Sequence, residues 1–221
     1  MNIPVLFTTY NRLEYTRQSL PALMASDCGL ILVVDNNSTD GTKEYLQSIK
    51  SDRIHVIYEK ENTGVAGAMN LFLQLTHGDK YVGKVDNDTI VPPDWCSRLL
   101  AKIIVHGVDI IQAKHPIPEA TYSGGNFYAW MQTMKQDSKD PSLYYHRFVG
   151  GSGIVFKRKV VDRIPETEWK LYGWNTFQKE HPELKKAFCM EVEIELLDMY
   201  RNGGTRYADY PEYYKETRRI K

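Results

Sequence analysis

The sequence predicts an α/β protein with a central, mostly parallel sheet flanked by helices, organised as a single domain. Three observations carry that expectation. The first half of the chain alternates short apolar runs with amphipathic ones, the pattern of parallel strands covered by helices. Polar clusters recur where the apolar runs end. The length of 221 residues, with 42% hydrophobic and 25% charged residues, suits one sizeable core in an ordinary globular protein.

Taken in order, the strands are predicted at 3–9, 30–35, 54–59, 81–86 and 109–113, and the helices between them at 12–24, 41–49, 66–76 and 94–106. Pro93 suits the opening turn of the last helix, where a missing N–H costs nothing. After Lys114 the alternation stops. Pro116 and Pro118 break the chain, a stretch rich in Tyr, Gly and Trp runs to Trp130, and the polar segment 136–142 reads as a loop. Strand character returns at 147–156 around Gly150-Gly151-Ser152-Gly153, and 191–201 reads as a helix closed by Gly203 or Gly204. Residues 1–114 therefore read as a nucleotide-binding layer, 115–210 as a second half built differently, and 211–221 as a basic tail carrying Lys215, Arg218, Arg219 and Lys221. The sequence contains no internal repeat, low-complexity segment or long linker.

Lys plus Arg and Asp plus Glu both number 28, so the overall field offers no long-range attraction to nucleic acid or an anionic membrane. Cys28, Cys96 and Cys189 are odd in number and far apart, which fits free thiols in a reducing compartment and neither a disulfide framework nor a zinc site. The N-terminus lacks the pattern of a signal peptide, and no segment approaches a membrane span. The expectation is a cytoplasmic enzyme whose substrates can lie at a membrane surface.

In open α/β sheets ligands bind outside the carboxyl ends of the strands. Four such ends are polar here: Thr8-Thr9-Tyr10-Asn11-Arg12, Asp35-Asn36-Asn37-Ser38-Thr39-Asp40-Gly41-Thr42, Asn62-Thr63-Gly64 with Asn70 further on, and Asp86-Asn87-Asp88. Alone, the last triplet makes a serviceable turn and helix entry. Delivered to a sheet edge by an apolar strand, its carboxylates supply hard oxygen ligands to Mn²⁺ or Mg²⁺ while a diphosphate completes the shell.

These segments, in this order, together with Gly150-Gly151-Ser152-Gly153 and Glu191-Val192-Glu193, resemble glycosyltransferase family 2 enzymes of the GT-A fold. The resemblance covers the chain from Ile3 to about Gly204 and is densest in the first ninety residues. It implies a UDP-, GDP- or dTDP-sugar donor, a divalent metal, and a glycan, lipid-linked or other macromolecular acceptor. It also makes 1–114 the nucleotide-sugar half and 115–210 the acceptor half. Thr8, Thr9, Tyr10 and Arg12 would line the nucleotide pocket, and Asp35 would hydrogen-bond the base or ribose. Asn37, Asn62, Gly64 and Asn70 would shape the same pocket. Asp86 would lie near the ribose and metal-bound waters, Asn87 would act as spacer, and Asp88 would ligate the metal directly. Lys84, two residues before Asp86 on the same strand face, would neutralise the acids or contact phosphate. Simpler readings stand beside these. Asn37, Ser38 and Asp40 also read as a turn and a helix cap, Arg12 as a solvated helix residue, and Lys84 as a structural ion pair.

Transfer with inversion needs a carboxylate that takes the acceptor hydroxyl's proton. The resemblance points to Glu191 as that base, ahead of Glu193, although the family more often has Asp there and both acids would also suit a helix start by its dipole. Gly151, Ser152 and Trp174 would face the acceptor, with Tyr122, Phe127, Tyr128 and Trp130 as further wall residues or as core. The histidines, among them His146 and His181, have no metal-site spacing. The alternatives are a sugar nucleotidyltransferase, although the turn after strand one has no glycine, and a non-catalytic nucleotide-sugar-binding module. A nucleic acid acceptor is disfavoured by the neutral charge.

Overall fold

The computed structural model describes residues 2–114, 133–165 and 173–197. The first half alternates as expected: β1 (Val5–Thr9), α1 (Leu13–Met24), β2 (Ile31–Asp35), α2 (Thr42–Ser48), β3 (Ile54–Tyr58), α3 (Gly64–Leu75), β4 (Tyr81–Asp86), β5 (Thr89–Ile90), α4 (Trp95–His106) and β6 (Ile110–Lys114). Every strand and helix predicted before Lys114 is present, its ends displaced by at most two residues. β1 and β2 are buried along their whole length, as parallel strands covered on both faces must be. The second half supplies β7 (Lys135–Gln136), β8 (Leu143–Tyr145), β9 (Ile154–Lys157), a 3₁₀ turn (Arg158–Val160), α5 (Gly173–Glu180), β10 (Lys186–Glu193) and β11 (Glu195–Leu196).

Among the described residues the main sheet has nine strands in the order β3-β2-β1-β4-β9-β6-β10-β8-β7. β1 is parallel to β2 and β4, and β2 to β3. β9 runs antiparallel between β4 and β6, so β6, and β10 parallel to it, point the same way as β4. The carboxyl ends of β1, β2, β4, β6 and β10 thus open on one edge. Beside that edge β5 pairs with β11, and Leu197 N–H donates to the Asp88 carbonyl at 2.7 Å.

Strand alternation sends Phe7, Val33, Val85 and Ile111 to one face, against Leu20 and Leu23 of α1 and Leu99 and Ile103 of α4. Leu6, Val82, Ile154 and Phe188 face Met69 and Phe72 of α3 and Phe177 of α5 on the other. Buried residues such as Leu99 and Ile103 each contribute roughly 1.5–3 kcal/mol on leaving water.

Two expectations for the second half are corrected. The segment from 191 does not begin a helix: Glu191-Val192-Glu193 completes β10, and Glu195 continues into β11. From Met190 to Glu195 apolar and acidic residues alternate one by one, with Val192 and Ile194 buried, which is the two-residue period of a strand. The helix-dipole argument for these glutamates falls with the helix. Residues 198–201 and the closing glycines lie outside the described residues. Of the strand expected at 147–156, only Ile154–Lys157 forms, and 146–153 is an irregular loop. Of the segment read as a loop, Gln136 joins β7 and 137–142 connects β7 to β8.

Candidate functional site

β1 ends at Thr9, and the chain turns through Asn11 and Arg12, with φ of 52° and 60°, into α1. That left-handed region is unfavourable for L-residues and is stabilised here locally. Asn11 N–H donates to Ser38 Oγ at 2.8 Å, and Asn11 Oδ1 accepts from Thr39 N–H at 2.8 Å. Asp40 accepts from Leu13 N–H at 2.8 Å and Thr42 N–H at 3.1 Å, so one carboxylate caps the starts of α1 and α2. The capping role therefore accounts for Asp40.

Asp35 ends β2 as a buried carboxylate. Burial pushes its pKa up, and hydrogen bonds from the Ser38 hydroxyl and N–H offset part of that rise. Its neighbour Asn36 was absent from the expected site, yet it is buried and accepts from Thr63 Oγ1 at 3.0 Å, tying the end of β2 to the start of α3. Asn62 Oδ1 accepts from Gly64 N–H at 2.9 Å, and Gly64, with φ of 71°, makes the turn that a side chain would resist. Asn37 is exposed and Tyr10 half-buried on the same rim.

At the end of β4 the register sets Thr8 opposite Asp86. The Thr8 hydroxyl and the Lys84 ammonium both donate to Asp86 Oδ1, and Lys84 also donates to the Gly151 carbonyl at 2.6 Å. Asp86 N–H donates to Ser152 Oγ at 2.8 Å, which lies 2.7 Å from Thr89 Oγ1. Asp88 meets Arg12 Nη1 at 3.0 Å. Burial pushes the Asp88 carboxyl up, but the charge and hydrogen bond of Arg12, with Lys84 and Thr89, hold it below the usual carboxylate range.

Thr8, Lys84, Asp86, Gly151 and Ser152 are thus brought together, with Asp88 and Arg12 alongside. Several expected residues have other duties. Arg12 is no solvated helix residue: its side chain is 4% exposed and is bound to Asp88 and Asn87. Thr9 is buried toward α1, its hydroxyl 3.1 Å from Thr16 Oγ1. Asn87 is no spacer and does not face a ligand. In the turn that follows β4 it is held in a buried network, where it accepts from Arg12 at 2.6 Å and donates to Thr9, Asn11 and Thr16. Asn70 is taken up by both backbone groups of Ile164, at 2.7 and 3.0 Å. Lys84 is 1% exposed, which removes it from phosphate. Trp174 is core: its indole stacks on Phe177, and its N–H donates to the Val149 and Gly150 carbonyls. Tyr122, Phe127, Tyr128, Trp130 and the basic tail lie outside the described residues.

Glu191 and Glu193 differ in surroundings. Glu191 is 41% exposed and paired with Lys102 of α4 at 3.0 Å, while its carbonyl accepts from Arg98. Glu193, 54% exposed, ends β10 and pairs with Lys114 at the end of β6, at 3.0 Å. Gln112, a buried polar residue between Ile111 and Ala113 of β6, is the signal in the sequence for a residue that grips the glycine loop.

Asp86 and Asp88 offer hard carboxylate oxygens, but among the described residues no cluster of three His, Cys, Asp or Glu side chains could hold a metal. Two carboxylates suit a hard cation whose remaining ligands are phosphate and water oxygens, so the residues fit a metal that arrives with a diphosphate.

Residues 5–164 match the family model described as glycosyl transferase family 2. The chain is 33% identical over 90 residues to the putative teichuronic acid biosynthesis glycosyltransferase TuaG of Bacillus subtilis strain 168, covering 39% of this chain and 35% of that protein. It is 28% identical over 129 residues to glycosyltransferase AglE of Haloferax volcanii, covering 56% and 41%. It thus spans only about a third to two fifths of the length of these relatives. Among solved structures, the S. aureus TarS 1–349 complex with UDP superposes with a TM-score of 0.65 at 17% identity, over 89% of this chain and 61% of that one. The mannosyltransferase PcManGT of Pyrobaculum calidifontis, in complex with GDP-Man and Mn²⁺, gives a TM-score of 0.67 at 17% identity, over 91% and 58%. At these identities the structural likeness shows the fold.

Proposed function

Given that the chain belongs to glycosyl transferase family 2, we propose that it transfers a sugar, with inversion, from a UDP-, GDP- or dTDP-sugar to a hydroxyl of a glycan, lipid-linked or other macromolecular acceptor. Its fold is the GT-A fold that the sequence led one to expect. The observation that carries the reading is the contact of Asp86 N–H with Ser152 Oγ at 2.8 Å. It joins a carboxylate pair to a loop with little side-chain bulk, at the sheet edge where α/β folds bind ligands. Residues 1–114 are proposed as the donor half and 115–210 as the acceptor half. The three cysteines are free and buried, which supports a reducing compartment such as the cytoplasm.

In this reading Asp35 and the rim around Asn62 and Gly64 hold the nucleoside, and Asp86 and Asp88 hold Mn²⁺ or Mg²⁺. When bound, the metal stabilises the charge that develops on the departing diphosphate. Thr8 and Lys84 orient Asp86, and Arg12 orients Asp88. For the proton of the acceptor hydroxyl we propose Glu193 ahead of Glu191. In support, Glu193 ends its strand at the site edge, four residues before the N–H that binds the Asp88 carbonyl, whereas Glu191 is held on α4. The Gly151-Ser152 loop would lie beneath the reacting sugars.

The test is release of nucleoside diphosphate from UDP-glucose, UDP-N-acetylglucosamine, GDP-mannose and dTDP-glucose in the presence of Mn²⁺. At least one donor is expected to turn over. Binding of UDP or GDP without turnover of any donor would favour a non-catalytic module.

A further inference from the structure

The loop 149–152 is gripped by four buried side chains from three elements, α5, β6 and β4. Gln178 of α5 takes both backbone groups of Val149, accepting from its N–H at 2.8 Å and donating to its carbonyl at 2.9 Å. Trp174 donates to the Gly150 carbonyl at 3.0 Å. Gln112 of β6 accepts from Gly150 N–H and donates to the Ser152 carbonyl at 3.1 Å, an approach that a side chain at position 150 would obstruct. Lys84 of β4 donates to the Gly151 carbonyl at 2.6 Å. Four successive carbonyls therefore each meet a buried donor. Three of these donors are neutral, and Lys84 alone among the four also binds a carboxylate of the Asp86-Asn87-Asp88 triplet.

We propose that Lys84 is a positioning residue for sugar transfer: its buried ammonium ties Asp86, on the donor side, to the Gly151 carbonyl, on the acceptor side, and so fixes the spacing of the two halves of the site. This inference rests on the glycosyltransferase reading. An ion pair that only balanced charge would need Asp86 alone, and a phosphate ligand would need exposure that Lys84 lacks. An ammonium instead offers three donors about one rotatable stem, enough to link two segments 67 residues apart. Glycosyl transfer depends on such spacing, because a misplacement of about 1 Å at the reacting atoms costs on the order of hundredfold in rate.

The experiment compares the parent with Lys84→Met, which keeps the stem without the donors, and Lys84→Ala, with and without added propylammonium. Each is assayed with Mn²⁺ and the sugar nucleotide that the parent turns over, and UDP or GDP binding with Mn²⁺ is measured calorimetrically on the same samples. Parent turnover establishes the underlying reading, and the variants then test the inference alone. Lys84→Met is expected to lose about hundredfold in kcat with no weakening of nucleoside diphosphate binding, and propylammonium is expected to restore turnover to Lys84→Ala. Should Lys84→Met not fold, Lys84→Gln, which keeps one donor toward Gly151, carries the same comparison. The inference is overturned if kcat stays close to the parent value. It is equally overturned if turnover and nucleotide binding fall together, as a general loss of structure would produce.

Discussion

Arg12 sets one guanidinium nitrogen 3.0 Å from Asp88 and another 2.6 Å from Asn87, across more than seventy residues of sequence. The carboxylate that ends the triplet therefore carries its own buried counter-ion, as Asp86 does in Lys84. With both acids compensated, a divalent cation gains little from them until phosphate oxygens add negative charge.

Removing the first counter-ion should expose that balance. Arg12→Met leaves Asp88 with Lys84 as its remaining positive neighbour, and breaking such a buried pair costs roughly 3–5 kcal/mol. In scanning fluorimetry the variant should melt below the parent. Mn²⁺ alone should raise the melting temperature of the variant and leave the parent's unchanged. An equal response of the two proteins to Mn²⁺ would count against charge compensation.

Asp88→Asn keeps the side chain's shape and removes its charge. Mn²⁺-dependent UDP or GDP binding, measured by calorimetry, should weaken by about tenfold or more, ~1.4 kcal/mol. Binding without metal should not change. Undiminished binding with Mn²⁺ would remove Asp88 from the metal site.

The two glutamates of β10 should separate kinetically. Loss of a general base typically costs about 10²–10⁴ in rate, so Glu193→Gln should lower kcat by that order while Glu191→Gln stays near the parent. The reverse pattern would return the role to Glu191.

Asp140 reports on the junction of the β7–β8 hairpin with α4. Burial raises its pKa, but hydrogen bonds from Lys102 and Ser142 outweigh it and hold the carboxyl down to about 2. The folded value lies below the unfolded one of about 3.9, so the stabilisation is complete above that pH and is lost as pH falls through the folded pKa. The stability advantage of the parent over Asp140→Asn should be fully present at about pH 5, where the carboxylate is ionised beside Lys102, and should fall steeply as pH drops from about 4 through about 2. An advantage as large near pH 2 as at pH 5 would show that the pairing is not its source.

Gly153 has φ of 63°, and a Cβ there would come within 2.6 Å of Ile194 Cδ1, whereas Gly107, at φ 67°, has nothing within 4 Å. Gly107→Ala should carry only the conformational cost, roughly 1–2 kcal/mol. Gly153→Ala should cost more, each further kcal/mol lowering Tm by about 2–4 °C. Equal melting temperatures would mean that the Ile194 contact yields freely.

The parallel half is readable because each of its strands ends in polar or turn-forming residues, and Lys84 and Asp86 share a face of β4 by alternation. Asn87 follows that strand in a turn, where its burial depends on partners in β1 and α1. Met190 to Glu195 was misread because acidic residues every second position also suit a helix start when the partner strand is unknown. The pairing of Glu193 with Lys114 of β6 and of Glu195 with Ile90 of β5 resolves it. Trp174, Asn70 and Gln178 could not be assigned from sequence, since each binds backbone groups remote in the chain, and only tertiary docking brings those within reach.

The most direct test of the central claim is the rate at which the parent and the Asp86→Asn/Asp88→Asn double variant release nucleoside diphosphate from sugar nucleotides with Mn²⁺. The parent should turn over at least one UDP-, GDP- or dTDP-sugar, and the double variant should lose that turnover while remaining folded. Equal turnover by the two proteins, or none by the parent with any donor, would contradict the assignment.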